Sequence, residues 1–286
     1  MEKSVPIFYF SGTGNTWWVG NEIAEALNNW GLNAKTFSIE QLTPDAVNYL
    51  IDTADVVGIG YPIYGSDAPG IMKDFIAALP RVKEPKPMMI YVTQLEWSGD
   101  GAYFMHKEIE AKGYKIKWAV EFKMPNNIAV NIFPFNLLNS TCEYVEFADK
   151  LADTATKVQA LATKVKENKK WLQGNNPIST ALAWIQRGPF RWGTKMFGNQ
   201  LFSVNQKQCI QCGRCENICP VDNVRLNVAG FPQWGDACIM CMRCYNYCPM
   251  TAIKAYGKPY SRKHFGKMPY QGPVPQFKPE NIAKKK

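Results

Sequence analysis

The chain has 286 residues, 46% of them hydrophobic, and its apolar runs, such as Met88–Val92, fall far short of the roughly 20 residues a membrane span needs. That excludes a disordered polymer, a collagen-like rod and a transmembrane helix. The net charge of +9 is unevenly shared, with 14 Lys/Arg against 19 Asp/Glu in residues 1–165 and 19 against 5 in residues 166–286. The basic half therefore reads as a solvated or partner-facing surface that also offsets bound anionic groups, and no nucleic acid is expected.

The first segment, Met1–Ser11, has no basic leader followed by a long apolar stretch, so a cytoplasmic protein is expected. Val5–Phe10 predicts a strand, and Trp17, Val19, Ile23, Ala24 and Leu27 recur at helical spacing up to Gly31. Strands follow at Ala34–Ile39, Asp55–Tyr61, Met88–Thr93 and Tyr114–Phe122, with helices at Gly70–Leu79 and Gly101–Lys112. Five strands joined by crossovers predict an α/β fold with a doubly wound parallel sheet. Residues 124–140 interrupt the rhythm as an apolar, Pro- and Asn-rich insertion, and Glu143–Lys170 resumes as a long helix.

Between the first strand and helix lies Ser11-Gly12-Thr13-Gly14-Asn15-Thr16. Backbone N–H groups, hydroxyls and a helix N-terminus meet there, a combination suited to a phosphate monoester. The loop lacks the Lys of a nucleotide P-loop and is not a dinucleotide fingerprint. Two later loops stand at the ends of the third and fourth strands, where open α/β sheets bind ligands. They contain Pro62, Ile63, Tyr64 and Gly65, and Thr93, Trp97, Ser98, Gly99, Asp100 and Gly101.

These three loops resemble those of flavodoxins, small FMN-binding electron carriers, over residues 3–165. The resemblance implies that Ser11–Thr16 hold the FMN phosphate. It sets Tyr64 over one flavin face with the Gly65 peptide at N5, and Trp97 or Tyr103 as the other wall. Backbone amides of Thr93–Gly101 would then meet the pyrimidine edge. His106, within the next helix, is read as structural, as is the lone Cys142.

Residues 168–208 are rich in Trp, Phe, Arg, Gly and Pro, which predicts several short helices, with Trp184, Phe190, Trp192 and Phe197 packing one domain on the other. Cys209-Ile-Gln-Cys212-Gly-Arg-Cys215-Glu-Asn-Ile-Cys219-Pro220 is then repeated 29 residues later as Cys238-Ile-Met-Cys241-Met-Arg-Cys244-Tyr-Asn-Tyr-Cys248-Pro249. Zinc favours paired C-x2-C units, whereas a third cysteine and a fourth followed by proline, twice, point to iron–sulfur. The block resembles the bacterial two-cluster ferredoxin. The resemblance implies one [4Fe-4S] cluster on Cys209, Cys212, Cys215 and Cys248 and another on Cys238, Cys241, Cys244 and Cys219. Met242 stands where the first repeat has Gly213, and the segments after each proline predict a short helix and strand. The Pro- and Lys-rich end, with His264, reads as an extended, partly disordered tail.

The expected organisation is a flavodoxin-like FMN domain over 1–167, a connector over 168–204, a small α+β two-cluster ferredoxin domain over 205–258 and a basic tail over 259–286. The whole resembles the flavodoxin–ferredoxin fusion proteins of anaerobic bacteria and archaea. That resemblance implies electron transfer between two [4Fe-4S] clusters and FMN and exchange with a redox partner protein. The alternative is a cluster-fed flavoenzyme reducing a small substrate, with Met124, Asn126, Asn127 and Phe133 of the insertion lining its pocket. No NAD(P)H site is evident, because Gly58-Ile-Gly60 lacks a third glycine. Oligomeric state stays open.

Overall fold

The computed structural model describes residues 2–130, 147–197, 201–262, 266 and 268–284, without the side chains of 190 and 193–197. Phe133, Cys142, His264 and the last two lysines lie outside the described residues. Two compact units emerge: one contains 1–11, 15–124 and 150–190, and the other 12–14, 125–149 and 191–286.

In the first unit β1 (Ser4–Tyr9) leads to α1 (Asn15–Asn29), then β2 (Asn33–Ser38), α2 (Pro44–Asp52) and β3 (Val57–Pro62). After them come α3 (Gly70–Ala78), β4 (Lys86–Gln94), α4 (His106–Glu110), β5 (Tyr114–Lys123), α5 (Ala148–Lys166), β6 (Trp171–Leu172) and α6 (Pro177–Phe197). The sheet order is β2-β1-β3-β4-β5-β6, and every pairing is parallel. Its first five positions, 2-1-3-4-5, are the flavodoxin-like doubly wound order. The inner strands are unbroken apolar runs because helices cover both faces; Val5, Ile7, Phe8, Ile59, Ile90 and Val120 are fully buried.

The sixth strand exceeds the expected five. Its two residues are too few for a periodic signal, and it is fixed by Gln173 N–H donating to the Ala119 carbonyl (2.8 Å) and Trp118 Nε1–H to the Lys169 carbonyl (2.8 Å). The helix α2, absent from the sequence expectation, carries a readable start: the Thr43 hydroxyl accepts from Ala46 N–H, and Pro44 sits in the first turn. The helix expected at Gly101–Lys112 begins only at His106, since turns that serve the preceding loop occupy 101–105.

Contrary to the expected string of short helices, α6 runs unbroken for 21 residues with Pro189 inside it. Asn176 begins it by accepting from Ser179 N–H (2.8 Å), and Pro189 forfeits one internal hydrogen bond and crowds the carbonyl four residues before it. Trp184 and Trp192, expected at a packed face, are 75% and 63% exposed.

In the second unit β7 (Phe202–Val204) pairs antiparallel with β10 (Ile253–Ala255), and β8 (Val224–Leu226) with β9 (Pro232–Trp234). Two single-turn helices, α7 (Arg214–Asn217) and α8 (Arg243–Asn246), stand 29 residues apart, as do β8 and β10. Phe202, Tyr245, Ile253, Ala255 and Tyr260 form the core, joined by Ala129 and Val130 of the insertion. The expected loose tail is folded where described. Tyr270, Phe277 and Ile282 are buried, and Glu280 pairs with Arg214 (2.6 Å), because its aromatic and aliphatic residues anchor an otherwise Pro- and Lys-rich strand of chain.

Candidate cofactor sites

Three loops leave the carboxyl ends of β1, β3 and β4. In the first, Ser11 and Thr16 are buried in the first unit, and α1 begins at Asn15 directly after Gly14, whose φ is +104°. The Thr16 and Thr93 hydroxyl oxygens are 2.8 Å apart, joining the ends of the first and third loops, and Tyr91 O–H donates to the Thr16 carbonyl (3.2 Å).

The second loop follows Pro62 as a tight turn. Ile63 N–H donates to the Thr93 carbonyl (2.9 Å), and Tyr64 and Asp67 exchange backbone hydrogen bonds at 2.9 and 3.2 Å. Gly65 and Ser66 both have left-handed backbones (φ 58° and 60°), the signature of a type I′ turn. Asp67 fixes the turn by accepting from Ala68 N–H and from Lys73 Nζ.

In the third loop Ser98 is fully buried and donates to Glu121 (3.3 Å), and Tyr61 O–H donates to the Gly101 carbonyl (3.0 Å). Trp97 is 48% exposed. Tyr103 stacks on the His106 imidazole with ring centroids 4.6 Å apart, in keeping with a structural histidine.

Sequence reading missed Arg187. From α6 its guanidinium pairs with the buried Asp100 carboxylate, donates through Nε to the Ser66 carbonyl (2.7 Å) and lies over the Phe104 ring at 4.3 Å. Gln186 beside it accepts from the Ser66 hydroxyl (2.6 Å). One helix thus ties the second and third loops together. Burial pushes the Asp100 carboxyl up while Arg187 pulls it down. Gly99, at φ +72°, is required by this contact: a Cβ there would lie 2.7 Å from both the Ala183 Cβ and the Ser179 carbonyl oxygen. Nothing in its own stretch, 168–208, which holds no Asp or Glu, marks this arginine as a site residue.

The second unit includes Gly12–Gly14. Its Arg243, fully buried, donates through Nε to the Gly12 carbonyl (2.9 Å), and Tyr247 O–H donates to the Thr13 carbonyl (3.1 Å). Asn127 Nδ2 donates to the Thr13 hydroxyl oxygen (2.7 Å), while Asn126 accepts from Ile128 N–H.

The eight described cysteines are free of disulfides and line two recesses. Cys209, Cys212, Cys215 and Cys248 line the first, among Ile210, Leu226 and Met250. Cys219, Cys238, Cys241 and Cys244 line the second, among Phe202, Trp234 and Met242. Among the described residues no three His, Cys, Asp or Glu side chains converge tightly enough to hold a single metal ion. The donor set suits a larger, thiolate-bound group. Asn223 N–H donates to Cys219 Sγ (3.2 Å) and, 29 residues on, Ala252 N–H to Cys248 Sγ (3.3 Å). Burial pushes the bare thiols up, Cys215 to about 11 and Cys241 to about 12, with the Arg243 guanidinium pulling the latter down. Binding an iron–sulfur group would therefore expel protons.

Two sequence-family matches fall in this unit, both described as 4Fe-4S binding domain, at residues 202–225 and 235–252. A diflavin flavoprotein (A 5) of Nostoc sp. is 25% identical over 185 residues, or 63% of this chain. The chain spans 31% of that relative's length. Among solved structures, a flavodoxin from the domain Archaea covers 57% of this chain and 98% of its own at 12% identity (TM-score 0.39). Flavodoxin 2 from Bacillus cereus covers 58% and 99% at 13% identity (TM-score 0.42). Among the described residues no helix is long and apolar enough to cross a membrane.

Proposed function

We propose that this chain, a flavodoxin-like α/β domain joined to a 4Fe-4S ferredoxin-type region, passes electrons between two [4Fe-4S] clusters and FMN and exchanges them with a redox partner protein. The observation that carries the reading is the sorting of cysteines: each recess takes three from one motif and the fourth from the other. A single-ion site would need no such exchange between repeats.

When bound, the clusters would supply one-electron steps, and FMN one- or two-electron steps. The chain's own residues have defined tasks. Cys209, Cys212, Cys215 and Cys248 hold one cluster and Cys219, Cys238, Cys241 and Cys244 the other, and backbone N–H groups at Asn223 and Ala252 direct partial positive charge at two of the sulfurs. Ser11–Thr16 hold the FMN phosphate with hydroxyls and helix N–H groups. Tyr64, Gly65 and the Thr93–Gly101 loop meet the ring, with Arg187 keeping Ser66 and Asp100 in register.

The test is an anaerobic spectroelectrochemical titration of the full chain, with FMN and iron quantified in the same sample. About eight irons and one FMN per chain, exchanging electrons within one molecule, are expected. The variant Cys248→Ser should lose the cluster of the first motif and bring iron to about four, although Cys248 belongs to the second. Iron loss confined to the second motif's cluster would overturn the ligand sets.

A further inference from the structure

The two recesses differ in one respect that the repeat does not explain. Around the first, the side chains that could donate a hydrogen bond are engaged: Gln211 Nε2 donates to the Ala229 carbonyl (2.7 Å), and Arg214 to Glu280 and to the Tyr247 carbonyl. Around the second stands Trp234, at the end of β9 opposite Val224. Its indole nitrogen is buried and has no hydrogen-bond acceptor among the described residues, a state shared in the same recess by the Asn223 amide nitrogen. A buried N–H without an acceptor is costly and persists where something else receives it.

The indole is not a passive wall. It packs on the Phe202 ring (centroids 6.2 Å apart) and against the core that includes Cys244, and it lines the recess with Cys219, Cys238, Cys241 and Cys244. Trp donates and cannot accept, so a thiolate sulfur or a cluster sulfide is the complement it lacks.

On the reading of this recess as a [4Fe-4S] site, we propose that the Trp234 indole N–H donates to a sulfur of the bound cluster and raises that cluster's reduction potential. Reduction adds one electron and no proton, and the extra negative charge spreads over the sulfurs. A positive N–H dipole aimed at one of them stabilises the reduced form more than the oxidised form. Among the described residues lining the first recess no buried side-chain donor lacks an acceptor, so Trp234 acts on one cluster alone.

The experiment uses the full chain, reconstituted anaerobically, with both cluster potentials followed by EPR in wild type and Trp234→Phe. The phenyl ring keeps the packing and removes the N–H. The expected result is unchanged iron and FMN with one potential lowered, so that at a fixed applied potential that cluster's reduced-to-oxidised ratio falls roughly tenfold, about 59 mV for one electron. The other cluster should not move. Both potentials unchanged, in a protein holding about eight irons, overturns this inference alone. A wild type holding only about four irons overturns the two-cluster reading, and the inference with it. Should Trp234→Phe lose iron, wild type labelled with 15N at the indole nitrogens decides by pulsed EPR: a nitrogen coupled to one reduced cluster supports the bond, and none overturns it.

Discussion

Asn127 donates from Nδ2 to the Thr13 hydroxyl oxygen at 2.7 Å, and Thr13 is almost wholly buried. With that lone pair taken by a donor, the Thr13 O–H must itself point elsewhere as a donor, the polarity a phosphate oxygen requires. Asn127 thereby orients a hydroxyl of the proposed phosphate loop without entering the loop.

Replacing Asn127 by Ala should weaken FMN binding by about fivefold, the worth of one hydrogen bond near 1 kcal/mol. Asn127→Asp should weaken it more, since a carboxylate repels the phosphate and offers Thr13 an acceptor. Quenching of flavin fluorescence on titration reads both, and equal affinity in all three proteins would remove the role.

Arg187→Met should destabilise the chain by about 3–5 kcal/mol, because the Asp100 carboxylate would stay buried without its cation. Adding Asp100→Asn should recover most of the loss. Chemical unfolding of the two single variants and the double variant closes the cycle; additive losses would show that the pair does not interact.

Two glycines with left-handed backbones separate conformation from contact. Gly31 has φ +77° and open space around it, whereas Gly99 has φ +72° and the Ser179 carbonyl in the way. Gly31→Ala should cost about 1 kcal/mol, and Gly99→Ala about 2 kcal/mol or more, with FMN affinity lowered only by the second. Thermal melts with and without FMN separate the two.

Glu121 sits behind the third loop and accepts from Gln94 and Ser98, yet burial pushes its carboxyl above the usual range. A raised carboxyl favours the folded state in its neutral form: its contribution is present below the unfolded value of about 4.3 and is lost as pH rises through the folded value. Glu121→Gln has no such loss. The Tm of the variant minus that of the wild type should therefore grow from pH 4 to pH 7, and a flat or falling difference would contradict the assignment.

Much of this was legible in the chain. Strands with continuous apolar runs, such as Val5–Phe10 and Met88–Thr93, identify themselves because a sheet covered on both faces needs them. The three loops were found because glycines and hydroxyls cluster at strand ends, and the eight cysteines because their spacing is so regular. What escaped depends on long-range packing. Arg187 meets Asp100 across 87 positions, and nothing local marks it. Glycine and proline at 188–189 suggest a break, yet α6 runs through them to Phe197. Tyr270 and Phe277 turned a basic tail into folded chain for the same reason.

The cysteine repeats also agree in a property that no side chain spells out. Gln211, Gly213 and Asp222 have φ of 57°, 71° and 52°, and their counterparts Met240, Met242 and Thr251 have 56°, 63° and 49°. Five of these six positions bear a side chain, for which the left-handed region costs on the order of 1 kcal/mol each. Amino-acid preference therefore did not choose this path; a shape common to both loops did. The two loops share one shape that costs conformational energy to hold, as a mould does whose form is set by what fills it. Iron loss should release them first, so that a protease nicks the chain between 209 and 251 while the six-stranded sheet is still intact.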